Sequence, residues 1–206
     1  MALSYYILDS ETCGLKCGWH EVNQVSIIRV TDKFQKTINI KVDYPERADS
    51  RALEIQGKTR YDLKKGIHRS EAIVEIEEFI AEDGFAPNAR VVAAHNASFD
   101  SRFINQMWIT DNKKFPIEMW LCTVALTRKL AKRQGLVKPK VNLKAALAIA
   151  GVQEKLGAHN AAVDVFNTLA LFEALMKHDL DHLSLIKTSE AKKKVNTNDE
   201  QYEDFE

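Results

Sequence analysis

Apolar and polar positions along the chain follow two kinds of pattern. Tyr5-Tyr6-Ile7-Leu8-Asp9 is a short apolar run that stops at a carboxylate, and Val22 to Val30 is a second strand-like segment. Phe34 to Val42 alternates, with Ile38, Ile40 and Val42 predicted inward and Asn39 and Lys41 outward. Thr31-Asp32-Lys33 between those two segments suits a tight hairpin, so they are expected to pair antiparallel. Residues 43–69 read as loop with short helical turns. Ser70 is expected to cap a helix striped by Ile73, Ile76, Glu77 and Ile80. Arg90-Val91-Val92-Ala93-Ala94 is continuous in its apolar core, the mark of a strand covered on both faces. After it, Phe99, Phe103 and Met107 recur at helical spacing. Further helices are predicted over 123–134, over Asn142 to Ala150 with a stop at Gly151, and through HNAAVDVFNTLALFEALMK, His159 to Lys177.

Strands first, then strands alternating with helices, predict an α/β domain around a mixed sheet. The 206 residues suffice for one sizeable core, placed at 1–186, with 187–206 as a polar, acidic tail too poor in apolar residues to fold. Hydrophobic residues at 45% and charged residues at 28% are ordinary for a globular chain, which leaves function to the motifs. No apolar run approaches the roughly 18 residues of a membrane span. The opening MALSYYILDSET lacks a basic leader and a cleavage pattern. Cys13, Cys17 and Cys122 are too few for a disulfide framework, so a reducing, cytoplasmic setting is expected.

Charge sharpens this picture. The formal net charge is zero, yet Asp199, Glu200, Glu203, Asp204 and Glu206 crowd the last eight residues. Without them the body carries 29 basic against 24 acidic residues. TRKLAKRQGLVKPKVNLK, Thr127 to Lys144, contains Arg128, Lys129, Lys132, Arg133, Lys138, Lys140 and Lys144 and no acid. Such a segment attracts polyanions by releasing their counterions, although a solvated helix face is the plainer account.

Three acidic motifs carry the candidate chemistry. Residues two apart on a strand point the same way, so Asp9 and Glu11 project side by side from the first strand. Two like charges at that spacing raise each other's pKa unless a cation lies between them, and hard oxygen ligands suit Mg²⁺ or Mn²⁺. In AAHNASFD, Asp100 falls in the first turn of a helix just past a buried strand, where sites of open α/β sheets collect. In AHNAAVD, Asp164 stands in a helix start that is apolar nearly all round, costly for a carboxylate without a partner. His159 is expected in the loop before that helix, leaning over the same place. Singly these have bland explanations: a surface or capping role for Asp-x-Glu, a helix-stabilising Asp100, a satisfied buried His159.

Taken in order, Asp-x-Glu, His-Asn-x-x-Phe-Asp and His-x4-Asp resemble the three motifs of the DEDDh family of 3′→5′ exonucleases, whose members include the proofreading epsilon subunit of bacterial DNA polymerase III and ribonuclease T. The resemblance covers residues 3–178 and implies a ribonuclease-H-like fold with a mixed five-stranded sheet. It implies that Asp9, Glu11, Asp100 and Asp164 hold two Mg²⁺ or Mn²⁺ ions and that His159 is the general base. Thr12 then matches the residue whose backbone holds the 3′-terminal nucleotide, Leu15 the wedge near the last base, Phe99 the aromatic wall and Asn96 its polar neighbour. The implied substrate is nucleic acid with a free 3′ end, foremost single-stranded or frayed DNA, with Arg128, Lys132 and Arg133 tracking its phosphates. RNA trimming by the same mechanism, and a catalytically silent nucleic-acid or polymerase-binding module, are the alternatives.

The sequence departs from the family at Cys13, where many relatives carry Thr or Ala, at Gln56, where many carry His, and at Cys122, where Asp often precedes Thr. Cys13, Cys17 and His20 fit no standard zinc spacing, and His178 and His182 flank acids at a solvated helix end. The terminal QYEDFE would be either a solubilising end or a docking peptide for a DNA polymerase or sliding clamp.

Overall fold

The computed structural model describes residues 2–155 and 160–188. His159 and the tail from 189 onward lie outside the described residues.

The chain opens with β1 (Ser4–Thr12), β2 (Val22–Arg29) and β3 (Gln35–Asn39), an antiparallel meander. A turn over 30–33 joins the last two; Arg29 N–H donates to the Phe34 carbonyl at 3.0 Å and Lys33 takes a positive φ of 60°. Ile38, Ile40 and Val42 are buried while Asn39 and Lys41 are exposed, as the alternation predicts, although the strand ends at Asn39. Residues 40–68 contain α1 (Ser50–Gln56), which Asp49 caps by accepting from the Arg51 and Ala52 amides. Gly57 ends it in the left-handed region (φ 62°).

Next come α2 (Arg69–Ala81), β4 (Arg90–Ala94), α3 (Ala97–Thr110), β5 (Met119–Cys122), α4 (Thr123–Arg133), α5 (Leu143–Ile149) and α6 (Ala161–Met176). The cap of α2 is His68, two residues before the predicted Ser70. His68 and Glu71 form a reciprocal capping box, and Ser70 donates its amide to the His68 ring. A final strand, β6 (Lys187–Thr188), pairs with Met119 and Trp120. The sheet is therefore six-stranded, in the order β3-β2-β1-β4-β5-β6, rather than five-stranded. Two polar edge residues carry no alternation by which the sequence could have announced them.

β1 lies in the middle, antiparallel to β2 and parallel to β4. Its side chains alternate between two cores. Tyr6 and Leu8 pack with α2 and α3 against Ile73, Ile76, Phe103 and Trp108. Ile7 packs on the opposite side with Leu126, Leu147, Val165 and Phe172 of α4, α5 and α6. With helices on both faces, β4 is buried at all five positions. This sandwich fixes where each position at the end of β1 points.

Candidate active site

Asp9 and Glu11 continue the odd-numbered series of β1, so they emerge on the α6 side of the sheet. Asp164 meets them from the first turn of α6. One carboxylate oxygen from each of Asp9, Glu11 and Asp164 lies within 4.8 Å of the others.

Two glutamines of the meander dock α6 so that this happens. Gln24 accepts from the Ala161 amide at 3.1 Å while donating to Asn39, and Gln35 donates to the Ala162 carbonyl at 3.2 Å. Asn160 caps the helix by accepting from Ala162 N–H at 2.9 Å. Neither glutamine was a sequence candidate. An isolated Gln in a strand carries no signature, and only the tertiary contact reveals its use.

Asp100 arrives from the first turn of α3 and is buried, at 4% exposure. Ser10, between the two β1 carboxylates and facing the other way, donates its hydroxyl to Asp100 Oδ1 at 2.8 Å. Asn96 precedes the helix with a left-handed φ of 73°, a conformation Asn tolerates, and its carbonyl accepts from Phe99 N–H. His95 bridges the Thr123 hydroxyl and the Val141 carbonyl, each at 2.9 Å, tying β4, α4 and the loop before α5 together behind the site.

The electrostatics match this convergence. Removal from water, then Asp100, Glu11 and Asp164 in turn, push the Asp9 pKa well above the carboxylate range. Asp100 is pushed up to about 7, chiefly by burial, with the Ser10 hydrogen bond opposing and Glu11 adding to the rise. Asp9 thus feels the other three carboxylates, and Asp100 feels Glu11. The donors are hard oxygens, and the strong mutual repulsion is what a divalent cation would relieve. The residues fit a Mg²⁺ or Mn²⁺ centre. Among the described residues no second group of ligating side chains comes together: Cys17 donates to the Arg102 carbonyl, His20 accepts from the Lys16 amide, and Cys13 is a buried free thiol.

A cleft of about 520 Å³ opens beside the carboxylates, lined by Ser10, Glu11, Thr12, Leu15, Phe99 and the α1 residues Arg51 and Ile55, among others. Leu15 stands 78% exposed on its rim, and Phe99 forms a wall backed by Phe103 at 4.8 Å between ring centroids. Thr12 is buried, its carbonyl held by Gln56 Nε2 at 2.8 Å. Behind it, a bulge between Glu11 and Thr12 leaves Asn23 of β2 unpaired in the register. Asn23 donates to Gln56 Oε1 at 2.8 Å and accepts from Lys58 Nζ at 3.2 Å. Lys58 has burial lowering its pKa and Glu11 as its strongest neighbouring charge.

Arg128, Lys132 and Arg133 are not among the residues that line this cleft. Helix α4 starts at the site end of β5 and advances about 14 Å along its axis from Thr123 to Lys132. Lys129 in the same helix binds the Leu180 carbonyl, close to where His182 meets the Tyr5 hydroxyl at the far end of β1. Among the described residues, Arg51 lines the cleft and Lys58 feels the charge of Glu11 beside it, both in a segment the sequence marks only as short helical turns.

The sequence profile of the family described as Exonuclease matches residues 6–172. The chain belongs to this exonuclease family. Membership bears out the DEDDh-type resemblance and the enzyme class it implies, a 3′→5′ exonuclease. Among curated proteins, a PolC-type DNA polymerase III from Mycoplasmopsis pulmonis is 27% identical over 181 residues. That alignment takes in 84% of this chain but only 12% of the polymerase, so the chain spans about an eighth of its relative's length.

Solved structures of exonucleases share the fold. Escherichia coli exonuclease I in complex with a dT13 oligonucleotide superposes with a TM-score of 0.70 at 16% identity, covering 88% of this chain and 42% of that one. Cell-death related nuclease 4 gives 0.71 at 11% identity, covering 85% and 64%. At these identities the likeness is one of architecture, and the six-stranded α/β sandwich is the ribonuclease-H-like arrangement the motifs imply.

Proposed function

We propose that this exonuclease removes nucleotides from the 3′ end of DNA, acting on single strands or frayed ends and releasing nucleoside 5′-monophosphates. The observation that carries the proposal is the meeting of Asp9, Glu11 and Asp164 beside buried Asp100, at the mouth of a cleft walled by apolar side chains. Asp9, Glu11 and Asp164 would hold one divalent ion, and Asp9 with Asp100 a second. When bound, such ions offset charge on the attacking and leaving oxygens of a phosphoryl displacement.

The chain's own residues supply the rest. The Thr12 backbone, held by Gln56, would anchor the terminal nucleotide. Leu15 and Phe99 would grip the last base between rim and wall, which demands an unpaired end. Asn96, exposed one turn before Phe99, would add a polar contact. His159, five positions before Asp164, would take the proton of the attacking water.

The test is digestion of 5′-labelled single-stranded DNA, duplex DNA and RNA with Mg²⁺ or with EDTA. Stepwise shortening of the DNA single strand from its 3′ end is expected with Mg²⁺ only. It should vanish in Asp9→Asn and Asp164→Asn and fall roughly 10²–10⁴-fold in His159→Ala. Intact DNA beside shortened RNA would reassign the substrate, and intact label in every tube would overturn the proposal.

A further inference from the structure

Helix α1 lays one face along the main cleft. Its last residue, Gln56, holds the Thr12 carbonyl at 2.8 Å, and Ile55, Ala52 and Arg51 line the cleft with it. Arg51 and Ile55 are four apart and so share a face of the helix. Helical side chains lean toward the N-terminus, which carries Ile55 toward the Arg51 end. From Gln56 back to Arg51 the axis covers about 7.5 Å, a distance comparable with the breadth of a nucleoside.

The polar side chains of the cleft are largely committed. The Ser10 hydroxyl donates to Asp100 and the Thr12 hydroxyl to the Gly14 carbonyl, each at 2.8 Å. Gln56 is held at both ends, by Thr12 and by Asn23. Asp49 Oδ1 accepts the Arg51 and Ala52 amides, and Glu11 belongs to the acidic cluster. Among the described residues, Arg51 is the only cation that lines the cleft, and its guanidinium has no hydrogen-bond, ion-pair or ring partner. The remaining walls are apolar: Leu15 is 78% and Ile55 49% exposed, and Phe99 joins them. An uncommitted fork of N–H donors beside apolar walls suits a flat ligand with acceptors along its edge.

Resting on the exonuclease reading above, we infer that Arg51 reads the edge of the 3′-terminal base and makes guanine the preferred end. Thr12 would hold the sugar side of the nucleotide, the apolar walls would cover the base, and Arg51, further along α1, would meet its far edge. Guanine alone presents two adjacent acceptors, O6 and N7, that match a guanidinium fork. Adenine sets its N6 amine beside N7, cytosine offers its N4 amine, and thymine a single O4. A phosphate is the rival partner for an arginine. The scissile phosphate, however, falls to the carboxylates and their ions, and Arg51 lies among the side chains that would grip the base.

The test compares 5′-labelled single strands that differ only in the last base, digested by the full chain in Mg²⁺. The ends are guanine, adenine, 7-deazaguanine, which lacks the N7 acceptor, and hypoxanthine, which keeps O6 and N7 but lacks the 2-amine. For release of the first nucleotide, kcat/KM should be about 5- to 20-fold higher for guanine than for adenine. That is the lower part of the range for a bidentate contact, because Arg51 is exposed. Hypoxanthine should match guanine, and 7-deazaguanine should fall toward adenine. Arg51→Gln and Arg51→Lys should both bring the guanine-to-adenine ratio near one, since lysine keeps the charge but not the fork. Equal wild-type rates for guanine, adenine and 7-deazaguanine would overturn the inference, as would a ratio that survives both substitutions. Equal losses at every end in Arg51→Gln, recovered in Arg51→Lys, would overturn it in favour of a phosphate contact. The analogue comparison needs only the wild type, so it decides even where a variant folds poorly. If the wild type shortens no strand, the exonuclease reading fails, and fluorescence anisotropy of the same strands decides the base contact. Tighter binding of the guanine end than of the 7-deazaguanine end would uphold it, and equal binding would overturn it.

Discussion

Ser10 is one hydroxyl between two acids, and its direction matters more than its polarity. Because strand side chains alternate, it faces α3 while Asp9 and Glu11 face α6, and its hydrogen bond to Asp100 favours that carboxylate's charged form. Ser10→Ala should therefore raise the Asp100 pKa further above 7 and move the acid limb of the kcat/KM profile to higher pH. An unshifted limb would show that Asp100 ionisation does not govern activity. Asp100 also sets a metal-free stability profile. Its folded pKa, about 7, is above the ordinary carboxylate value, so its contribution is present below about pH 4 and lost as pH rises through 7. In EDTA the Tm should fall over that window, Asp100→Asn should flatten the fall, and Mg²⁺ at pH 8 should reverse it. A Tm in EDTA that rises from pH 4 to 7 equally in both proteins would contradict the raised pKa.

At the scale of elements, α1 does what the sequence least suggests. It is a seven-residue helix, too short to stand alone, yet it supplies Arg51, Ile55 and Gln56 to the cleft. Gln56 links the Thr12 carbonyl to Asn23, and Asn23 links onward to Lys58. Gln56→Ala would remove the side-chain bonds to the Thr12 carbonyl and the Asn23 amide, costing about 1–3 kcal/mol and loosening the floor of the terminal-nucleotide site. A lower Tm with a raised KM is expected; an unchanged KM would make Gln56 purely structural. Helix α4 is the converse case. It carries Arg128, Lys129, Lys132 and Arg133 and no acid, yet none of the four lines the cleft beside the carboxylates.

Across the whole molecule, stability and chemistry are placed at opposite ends of β1. At its start, Asp83 is bound by Arg90 at 2.5 Å, the Tyr6 hydroxyl at 2.6 Å and Ser4 at 2.9 Å. Burial alone would raise the Asp83 pKa, yet the Arg90 and Tyr6 hydrogen bonds outweigh it and hold it at about 2. This stability is present above the ordinary carboxylate pKa and lost as pH falls toward 2. Arg90→Ala, which strands a buried carboxylate, should cost about 3–5 kcal/mol, with or without Mg²⁺. Asp9→Asn should cost little in EDTA, because it removes repulsion. Equal destabilisation by the two variants would contradict this division.

The sequence by itself determined the strands and helices with strong periodicity, and it named the acids. An apolar run ending in Asp9 and Glu11, and carboxylates at helix starts flanked by apolar residues, are local anomalies that burial cannot explain, so they stand out without coordinates. Only the tertiary structure decided what holds those acids in place. Gln24 under α6, Ser10 on Asp100, and Gln56 and Asn23 behind Thr12 are ordinary polar residues whose partners in these contacts lie 33 to 137 positions away. Hydrogen bonds of that reach leave no periodic trace along a chain. The same holds for β6, whose two residues owe their pairing to Met119 and Trp120 rather than to any pattern of their own.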